Sequence, residues 1–117
     1  MKTTTLYRPA GPVEIELVEA SGFRRWPPRL PEQPIFYPVT NEKYAIEITE
    51  QWNVPACGIG YVTRFEVETH FMDRYPIEVV GAPHNTEWWI PAEDLDAMHE
   101  HLVGLIEVIG TYRREDS

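Results

Sequence analysis

The side chain with the clearest chemical potential is Glu87, in the stretch Thr-Glu-Trp-Trp-Ile-Pro at residues 86–91. Successive residues of a strand point to opposite faces, so Glu87 shares a face with Trp89 and not with Trp88. A carboxylate beside an aromatic wall can be partly desolvated or can lie at the lip of a pocket, and either position suits it to acid–base or charge-stabilising work. The alternative is an exposed glutamate at a strand end, without a chemical role.

The four histidines are His70, His84, His99 and His101, and their spacing predicts no metal site. His99 and His101 lie two residues apart on a predicted helix and therefore point to different sides. No His-Glu-x-x-His or Cys-x-x-Cys spacing is present. His84, in the loop just before Glu87, is either a ligand-binding residue or a solvated loop histidine.

Cys57 is the only cysteine, so an intramolecular disulfide is excluded. No base or cationic side chain stands next to it in the sequence, whereas a catalytic thiol needs both. We therefore predict a structural role for this residue and a reducing compartment for the chain.

The elements of the first half are predicted from their end signals. Residues 4–8 are typical of a strand. A helix should follow, with Gly11 as its N-cap, Pro12 at its first position and Gly22 beyond its end. Residues 13–17 also alternate as a strand would. The helical apolar face is predicted to hold Val13, Leu17 and Ala20.

Residues 23–38 contain five prolines and several large apolar side chains. One interpretation is a polyproline ligand for the aromatic groove of a partner. The other is an ordered loop that wraps the domain. The interleaved apolar residues favour a loop that packs against the body and could cover a pocket.

The second half alternates short strands with helices. Asn41 is a predicted N-cap and Pro55 a predicted helix stop. The helix between them should present one face, formed by Tyr44, Ala45, Ile48 and Trp52. A helix within residues 91–104 should end at Gly104 and bury Leu95, Met98 and Leu102. The remaining segments are strands at 35–40, 61–68, 76–81, 87–90 and 105–112, and a short helical turn at 69–75.

These elements predict an α+β fold: one compact domain over residues 1–117, with a largely antiparallel β core, formed mainly from the second half, and two to four attached helices. Residues 113–117 should be a frayed tail. The net charge of −9 argues against general nucleic-acid binding and anionic membranes. No apolar run is long enough for a signal peptide or a membrane span, so a cytoplasmic protein is expected.

The order of segments resembles small bacterial proteins labelled "ADP-ribosylation/crystallin", over nearly the whole chain. It is also similar to compact ADP-ribosyltransferase-like domains. The resemblance rests on Leu-Tyr-Arg-Pro at 6–9, on Ile-Phe-Tyr-Pro-Val-Thr-Asn-Glu-Lys-Tyr-Ala at 35–45, and on Thr-Glu-Trp-Trp-Ile-Pro at 86–91. It implies an ADP-ribosyltransferase-like fold that binds NAD or a related nucleotide, with transfer of ADP-ribose to an acceptor.

The resemblance also implies roles for single residues. Glu87 would be the catalytic carboxylate that stabilises an oxocarbenium-like transition state. Arg8 would anchor a phosphate or ribose, and Tyr37 would stack on the nicotinamide. Trp89 and His84, beside Glu87, complete the expected NAD site. Asn85 stands where the arginine-modifying branch has a second acid, so a different acceptor is implied.

Two other functions are compatible with the sequence. The first is a non-catalytic acidic protein, such as an immunity-type protein, that engages a basic protein partner. Its basis is the small size, the acidity and the proline-rich aromatic loop. The second is a pocket lined by the tryptophans for a small molecule unrelated to NAD.

Overall fold

The first strand and the first helix form where their end signals predict them. In the computed structural model, which describes residues 2–114, β1 spans Thr3–Ala10 and α1 spans Pro12–Ala20. Gly11 is the N-cap and Pro12 the first helical residue, where the missing N–H costs no helical hydrogen bond. Gly22, just beyond the helix, has a φ of 78°, which is the left-handed conformation that glycine tolerates best.

An antiparallel sheet of three strands forms the centre of the molecule, in the order β1, β3 (Ile59–Glu68) and β7 (Leu102–Arg113). Its ladder pairs Leu6 with Phe65 and Val62 with Gly110. The sheet therefore combines one strand of the first half with two of the second, so β1 joins the core that was expected to form mainly from the second half. The other strands are β2 (Ile35–Phe36), β4 (Ile77–Val79), β5 (Thr86–Trp88) and β6 (Ile90–Pro91).

Val39 joins the central sheet to the β4–β5 hairpin. It forms antiparallel bridges to Tyr7 on one side and to Glu87 on the other. The N–H of Tyr7 donates to the carbonyl of Val39 at 2.9 Å, and the N–H of Val39 donates back at 2.7 Å. Of the predicted strand 35–40, Val39 pairs with the central sheet. The first part of that segment, β2, pairs with β6 instead.

The helical segments attach to the sheet at its ends and faces. The helix predicted to stop at Pro55 continues through it, because a π turn at Thr49–Asn53 precedes the proline. Proline has no N–H to donate to the helical hydrogen bonds, and its ring collides with the preceding turn of a regular α-helix. The wider π turn leaves room for that ring. The helices are α2 (Glu42–Ile48), α3 (Val54–Cys57), α4 (Thr69–Met72) and α5 (Leu95–Glu100), the last preceded by a 3₁₀ turn at Ala92–Asp94.

One predicted helical face is wrong, and a second is wrong at one residue. On α1, Ile15 and Val18 are buried, whereas Val13 and Leu17 are exposed. In the second helical segment, residues 42–57, Ala45 is buried and Tyr44 and Ile48 are partly buried, as expected. Trp52, further along the same segment, is 70 % exposed. The packing of α1 against the sheet selects the Ile15 stripe, and the π turn rotates Trp52 away from the face that Ala45 buries.

The boundaries near the C-terminus also differ from the prediction. The predicted helix ends at Glu100 instead of Gly104, and Leu102 already belongs to β7. The predicted strand 87–90 is interrupted at Trp89, between β5 and β6. Of the tail predicted to fray, Arg113 is in β7, and Arg114 donates to the carbonyl of Pro55 at 2.8 Å. Residues 115–117 lie outside the described residues.

Apolar side chains fill both faces of the sheet. The larger cluster contains Trp26, Phe36, Phe65, Phe71 and Trp88, and the smaller one contains Val39, Ala45 and Val62. The predicted α+β class, with antiparallel strands, attached helices and a single compact domain, is confirmed. No helix within residues 2–114 has the length and apolarity needed to cross a membrane.

Candidate functional site

The proline-rich segment packs against the body, as the loop interpretation predicts. Trp26 and Phe36 are buried, and their ring centroids lie 5.5 Å apart. The N–H of Trp26 donates to Nε2 of His99 at 2.9 Å. Burial lowers the pKa of His99, and nearby Arg25 adds to this, so the neutral imidazole is the form that accepts this bond. The segment therefore has a fixed course, and it forms one wall of a cleft.

This arginine cleft lies beside the C-terminal end of β1, between the proline-rich segment and the second helix. Its volume is about 420 Å³, within the usual range of small-molecule sites. Ile48 and Asn53 contribute the helical wall. The full lining is Arg8, Pro9, Arg29, Glu32, Gln33, Pro34, Tyr37, Ile48 and Asn53.

Two arginines in this cleft share one carboxylate. Arg8 donates to Glu14 through Nε at 2.7 Å and through Nη2 at 3.0 Å, and Nη1 of Arg29 lies 3.8 Å from the same carboxylate. Both arginine side chains are only 11 % exposed. Burial lowers the pKa of Arg29, and the charge of Arg8 lowers it further. The group thus carries two positive charges and one negative charge in a partly desolvated place.

The guanidinium of Arg8 is also held by aromatic rings and by the backbone. It lies 4.5 Å from the ring centroid of Phe36 and 5.4 Å from that of Trp26. Its Nη1 donates to the carbonyl of Tyr37 at 3.3 Å. Arg8 is therefore a rigid part of the wall. Arg29 uses Nε on the carbonyl of Ile35 and, within residues 2–114, makes no hydrogen bond through its two Nη atoms.

Glu87 lies elsewhere and is well partnered. The carboxylate is 9 % exposed and accepts hydrogen bonds from the Tyr44 hydroxyl at 3.2 Å and from Nε1 of Trp89 at 2.9 Å. Burial, followed by the charge of Glu87, raises the pKa of Tyr44 to about 12. Trp89 shares the face of Glu87, as predicted, and Trp88 is buried on the other.

His84 contacts a second glutamate instead of Glu87. Its Nε2 lies 2.8 Å from both carboxylate oxygens of Glu47. Nδ2 of Asn85 donates to the same carboxylate at 3.3 Å. The hydrogen bond from His84 is the main reason that the pKa of Glu47 is lowered. His84 therefore has a carboxylate partner of its own, on the same side of the molecule as Tyr44.

Arg8 and Glu87 point to opposite faces of the sheet. Val39 bridges Tyr7 and Glu87, and residues opposite one another in antiparallel pairs share a face. Arg8 follows Tyr7 and so points the other way. The packing agrees, since Arg8 contacts rings of the larger core cluster while Glu87 binds Tyr44 of the smaller one. The structure brings Arg8 and Tyr37 together in the cleft, and Glu87, Trp89 and His84 do not line it.

Sequence reasoning missed Arg29 in the cleft, the carboxylate of Glu14 that it shares with Arg8, and a second cluster elsewhere. One signal was present for the cleft: Arg29 stands among prolines and apolar residues, an unusual setting for a charge. In the second cluster, Glu68, His70 and His101 place one ligand atom each within 4.8 Å of one another. Their separation along the chain gives no motif.

Comparison with protein-family models, with curated proteins and with solved structures finds no match for this chain.

Proposed function

We propose that this chain binds NAD or a related nucleotide in the arginine cleft, as an ADP-ribosyltransferase-like domain. The observation that carries the proposal is the pair of buried arginines that share one carboxylate. Arg29 keeps N–H donors free of hydrogen bonds to residues 2–114, and guanidinium groups bind phosphate with two parallel hydrogen bonds. Glu32 also lines the cleft, so the two arginines are balanced by two carboxylates and the local net charge is close to zero. The attraction for an anionic ligand therefore comes from the free N–H donors of Arg29.

Tyr37 provides the second half of the recognition. Its ring is partly exposed and lines the same cleft as Arg29. An aromatic face beside a phosphate site suits a ligand that carries both a phosphate and a flat ring. The sequence resemblance to ADP-ribosyltransferase-like domains supports the same ligand class.

The proposal covers binding and leaves out transfer of ADP-ribose. Transfer through Glu87 would require this carboxylate beside the ribose of a ligand held by Arg8. The two side chains leave the sheet on opposite faces, and both oxygens of Glu87 already accept hydrogen bonds. We therefore assign Glu87 a structural role, as the hydrogen-bond acceptor for Tyr44 and Trp89 on its face of the sheet.

The test is a proton–nitrogen NMR titration with NAD, ADP-ribose and inorganic phosphate. We expect shifts at the amides of Arg29 and Tyr37 and at the buried indole of Trp26. Arg29→Gln should weaken binding by about ten- to a hundredfold, because a hydrogen bond to a charged group contributes about 1.5–3 kcal/mol. Arg64→Gln is the matched control, since Arg64 is an exposed arginine paired with Glu107 outside the cleft.

Each outcome bears on the proposal. The proposal is refuted if millimolar nucleotide causes no chemical-shift change. It is also refuted if Arg29→Gln and Arg64→Gln weaken nucleotide binding equally. A response to phosphate as strong as that to NAD would contradict the role of Tyr37. Unchanged binding by Glu87→Gln is expected, and a loss in that variant would restore the site implied by the resemblance.

A second candidate function is docking of a basic protein on α1. Val13 and Leu17 are exposed and line one shallow groove together with Leu30. Glu16 and Glu19 are exposed on the same helix, so a partner with basic groups around an apolar contact would be complementary. Binding to an immobilised partner should weaken with salt and be lost in Leu17→Lys. Unchanged capture by that variant would exclude this surface.

A further inference from the structure

The cluster of Glu68, His70 and His101 is unrelated to the arginine cleft, since none of the three lines it. Glu68 ends β3 and His70 lies in α4, directly after it. His101 separates α5 from β7. The antiparallel pairing of β3 with β7 sets Val67 opposite Leu102, which brings the two chain segments together.

The distances in this cluster suit a shared metal ion. Oε1 of Glu68 lies 3.0 Å from Nδ1 of His101, and Oε2 lies 3.9 Å from Nδ1 of His70. Zinc binds histidine nitrogen and carboxylate oxygen at about 2.0–2.2 Å, so tetrahedral ligand atoms stand about 3.4 Å apart. The observed separations lie on either side of that value. All three ligand atoms lie within 4.8 Å of one another, so binding an ion would require the exposed His70 ring to turn toward the other two ligands.

The backbone and the core fix two of the three ligands. The N–H of Glu68 donates to the carbonyl of His101 at 3.0 Å, which ties the two residues to each other. The ring of His101 stacks on Phe71, with centroids 5.0 Å apart and an angle of 26° between the planes. Phe71 is fully buried, so this orientation is set by the core. A preorganised pair of ligands lowers the entropic cost of capturing an ion.

We propose that Glu68, His70 and His101 bind a divalent transition-metal ion, for which Zn²⁺ is the best match. Two imidazoles and one carboxylate are a ligand set that zinc takes in open, three-ligand sites. The side chain of His70 is 66 % exposed, so the fourth position of the ion faces solvent. This spacing escapes a motif search because His101 comes from a different element, and the sequence-based expectation of no metal is replaced by this proposal.

The test is isothermal titration calorimetry, which measures the heat of Zn²⁺ binding to chelator-treated protein. The visible absorption spectrum of the Co²⁺ form is recorded alongside. We expect one ion per chain and cobalt bands of a four- or five-coordinate site. His70→Ala should weaken binding by more than about tenfold, as loss of a ligand exceeds the effect of changing a group behind it. Because His70 is exposed, this variant should keep the unfolding midpoint of the metal-free protein.

The matched control is His84→Ala, since His84 also pairs with a glutamate but has no second histidine beside it among residues 2–114. It should bind zinc as the wild type does. Glu68→Gln serves as a second ligand variant. The proposal fails if the wild type takes up no stoichiometric zinc at about a hundred micromolar, or if His70→Ala and His84→Ala bind it equally. Long-range proton–nitrogen spectra should show Nδ1 of His70 and His101 shifted by the metal.

Discussion

At the scale of single residues, the hydrogen bonds of Glu87 explain how an acidic side chain is tolerated in a nearly buried position. The Tyr44 hydroxyl and the Trp89 indole each donate to a different carboxylate oxygen. A buried charge without donors would cost several kcal/mol, and two donors offset much of that cost. Tyr44 and Trp89 therefore both shield the Glu87 carboxylate from solvent and donate hydrogen bonds to it.

The titration of Tyr44 tests this arrangement. Its pKa is raised to about 12, first by burial and then by Glu87, and Glu87→Gln should lower it part of the way to the ordinary value near 10. NMR of tyrosines labelled at Cζ measures each phenol separately. Glu107→Gln, at an exposed carboxylate, should leave the pKa of Tyr44 unchanged, and an unchanged value in Glu87→Gln would contradict the contact.

The same shift has a consequence for stability. The unfolded chain loses the Tyr44 proton near pH 10, while the folded chain keeps it until about pH 12. The contribution of Tyr44 to folding stability is therefore complete below pH 10 and is lost as the pH rises from about 10 to about 12. Tyr44→Phe should show a shallower decrease in the free energy of unfolding over this range.

Two aromatic residues of opposite exposure test the location of the core. Phe65 is fully buried and packs on Trp26 at 5.5 Å, so Phe65→Ala should lower the free energy of unfolding by about 3–5 kcal/mol. Trp52 projects from the π turn, and Trp52→Ala should change it by less than about 0.5 kcal/mol. Urea denaturation measures both values. A comparable loss in the two variants would mean that Trp52 is buried.

At the scale of elements, the contact between β3 and the second helix depends on Gly60. A Cβ at this position would lie 2.6 Å from Cγ2 of Thr49 and 2.8 Å from Cβ of Asn53, closer than real side chains approach. The side chains of Thr49 and Asn53 in the π turn therefore pack directly against the backbone of β3 at Gly60. A larger residue at position 60 would have to push the helix away from the sheet.

Gly60→Ala should consequently destabilise the protein by about 1–3 kcal/mol, the usual cost of overpacking. Adding Thr49→Ser removes the nearest methyl group and should restore part of that loss. The serine hydroxyl can still donate to the carbonyl of Ala45, as Thr49 does at 2.8 Å. Thermal unfolding of the single and double variants gives the coupling. Simple additivity of the two changes would argue against the close approach.

The elements also show where sequence reasoning succeeds and where it stops. Gly11, Pro12 and Asn41 mark helix starts correctly, because capping depends on neighbouring backbone. The buried stripe of α1 was wrong because Ile15 and Leu17 are equally apolar, and only the docked sheet decides between them. The prediction that the helix stops at Pro55 was wrong for a similar reason. The π turn that accommodates the proline forms only in the folded helix and has no signal in the sequence.

At the scale of the whole molecule, the two faces of the sheet divide the residues that the sequence groups together. Arg8 and Tyr37 meet in the cleft, but Glu87 lies on the other face because Val39 sets its register with Tyr7. A single-residue bridge carries no sequence signal, yet it fixes which way each side chain points. The Glu68 cluster was hidden for the same reason, because its members meet only through the β3–β7 pairing.

Amide hydrogen exchange should follow this architecture. β3 is paired along both edges, so its amides should exchange slowest, at rates near those of global unfolding. Among the described residues β4 pairs with β5 alone, over three residues, and the side chains of its two end residues, Ile77 and Val79, are exposed. Its amides should exchange far faster. Equal protection of β3 and β4, measured by NMR, would contradict the peripheral position of the hairpin.

The central position of β3 has a consequence for synthesis on the ribosome. β1 is made before β3, its long-ladder partner among residues 2–114, and β3 begins about fifty residues further along the chain. At roughly 10 residues per second, β1 therefore stays without its partner for about 5 s. During that time its unpaired edge is open to wrong pairing with other chains. A nascent chain stalled before β3 should need chaperone protection, and one that has released β7 should not.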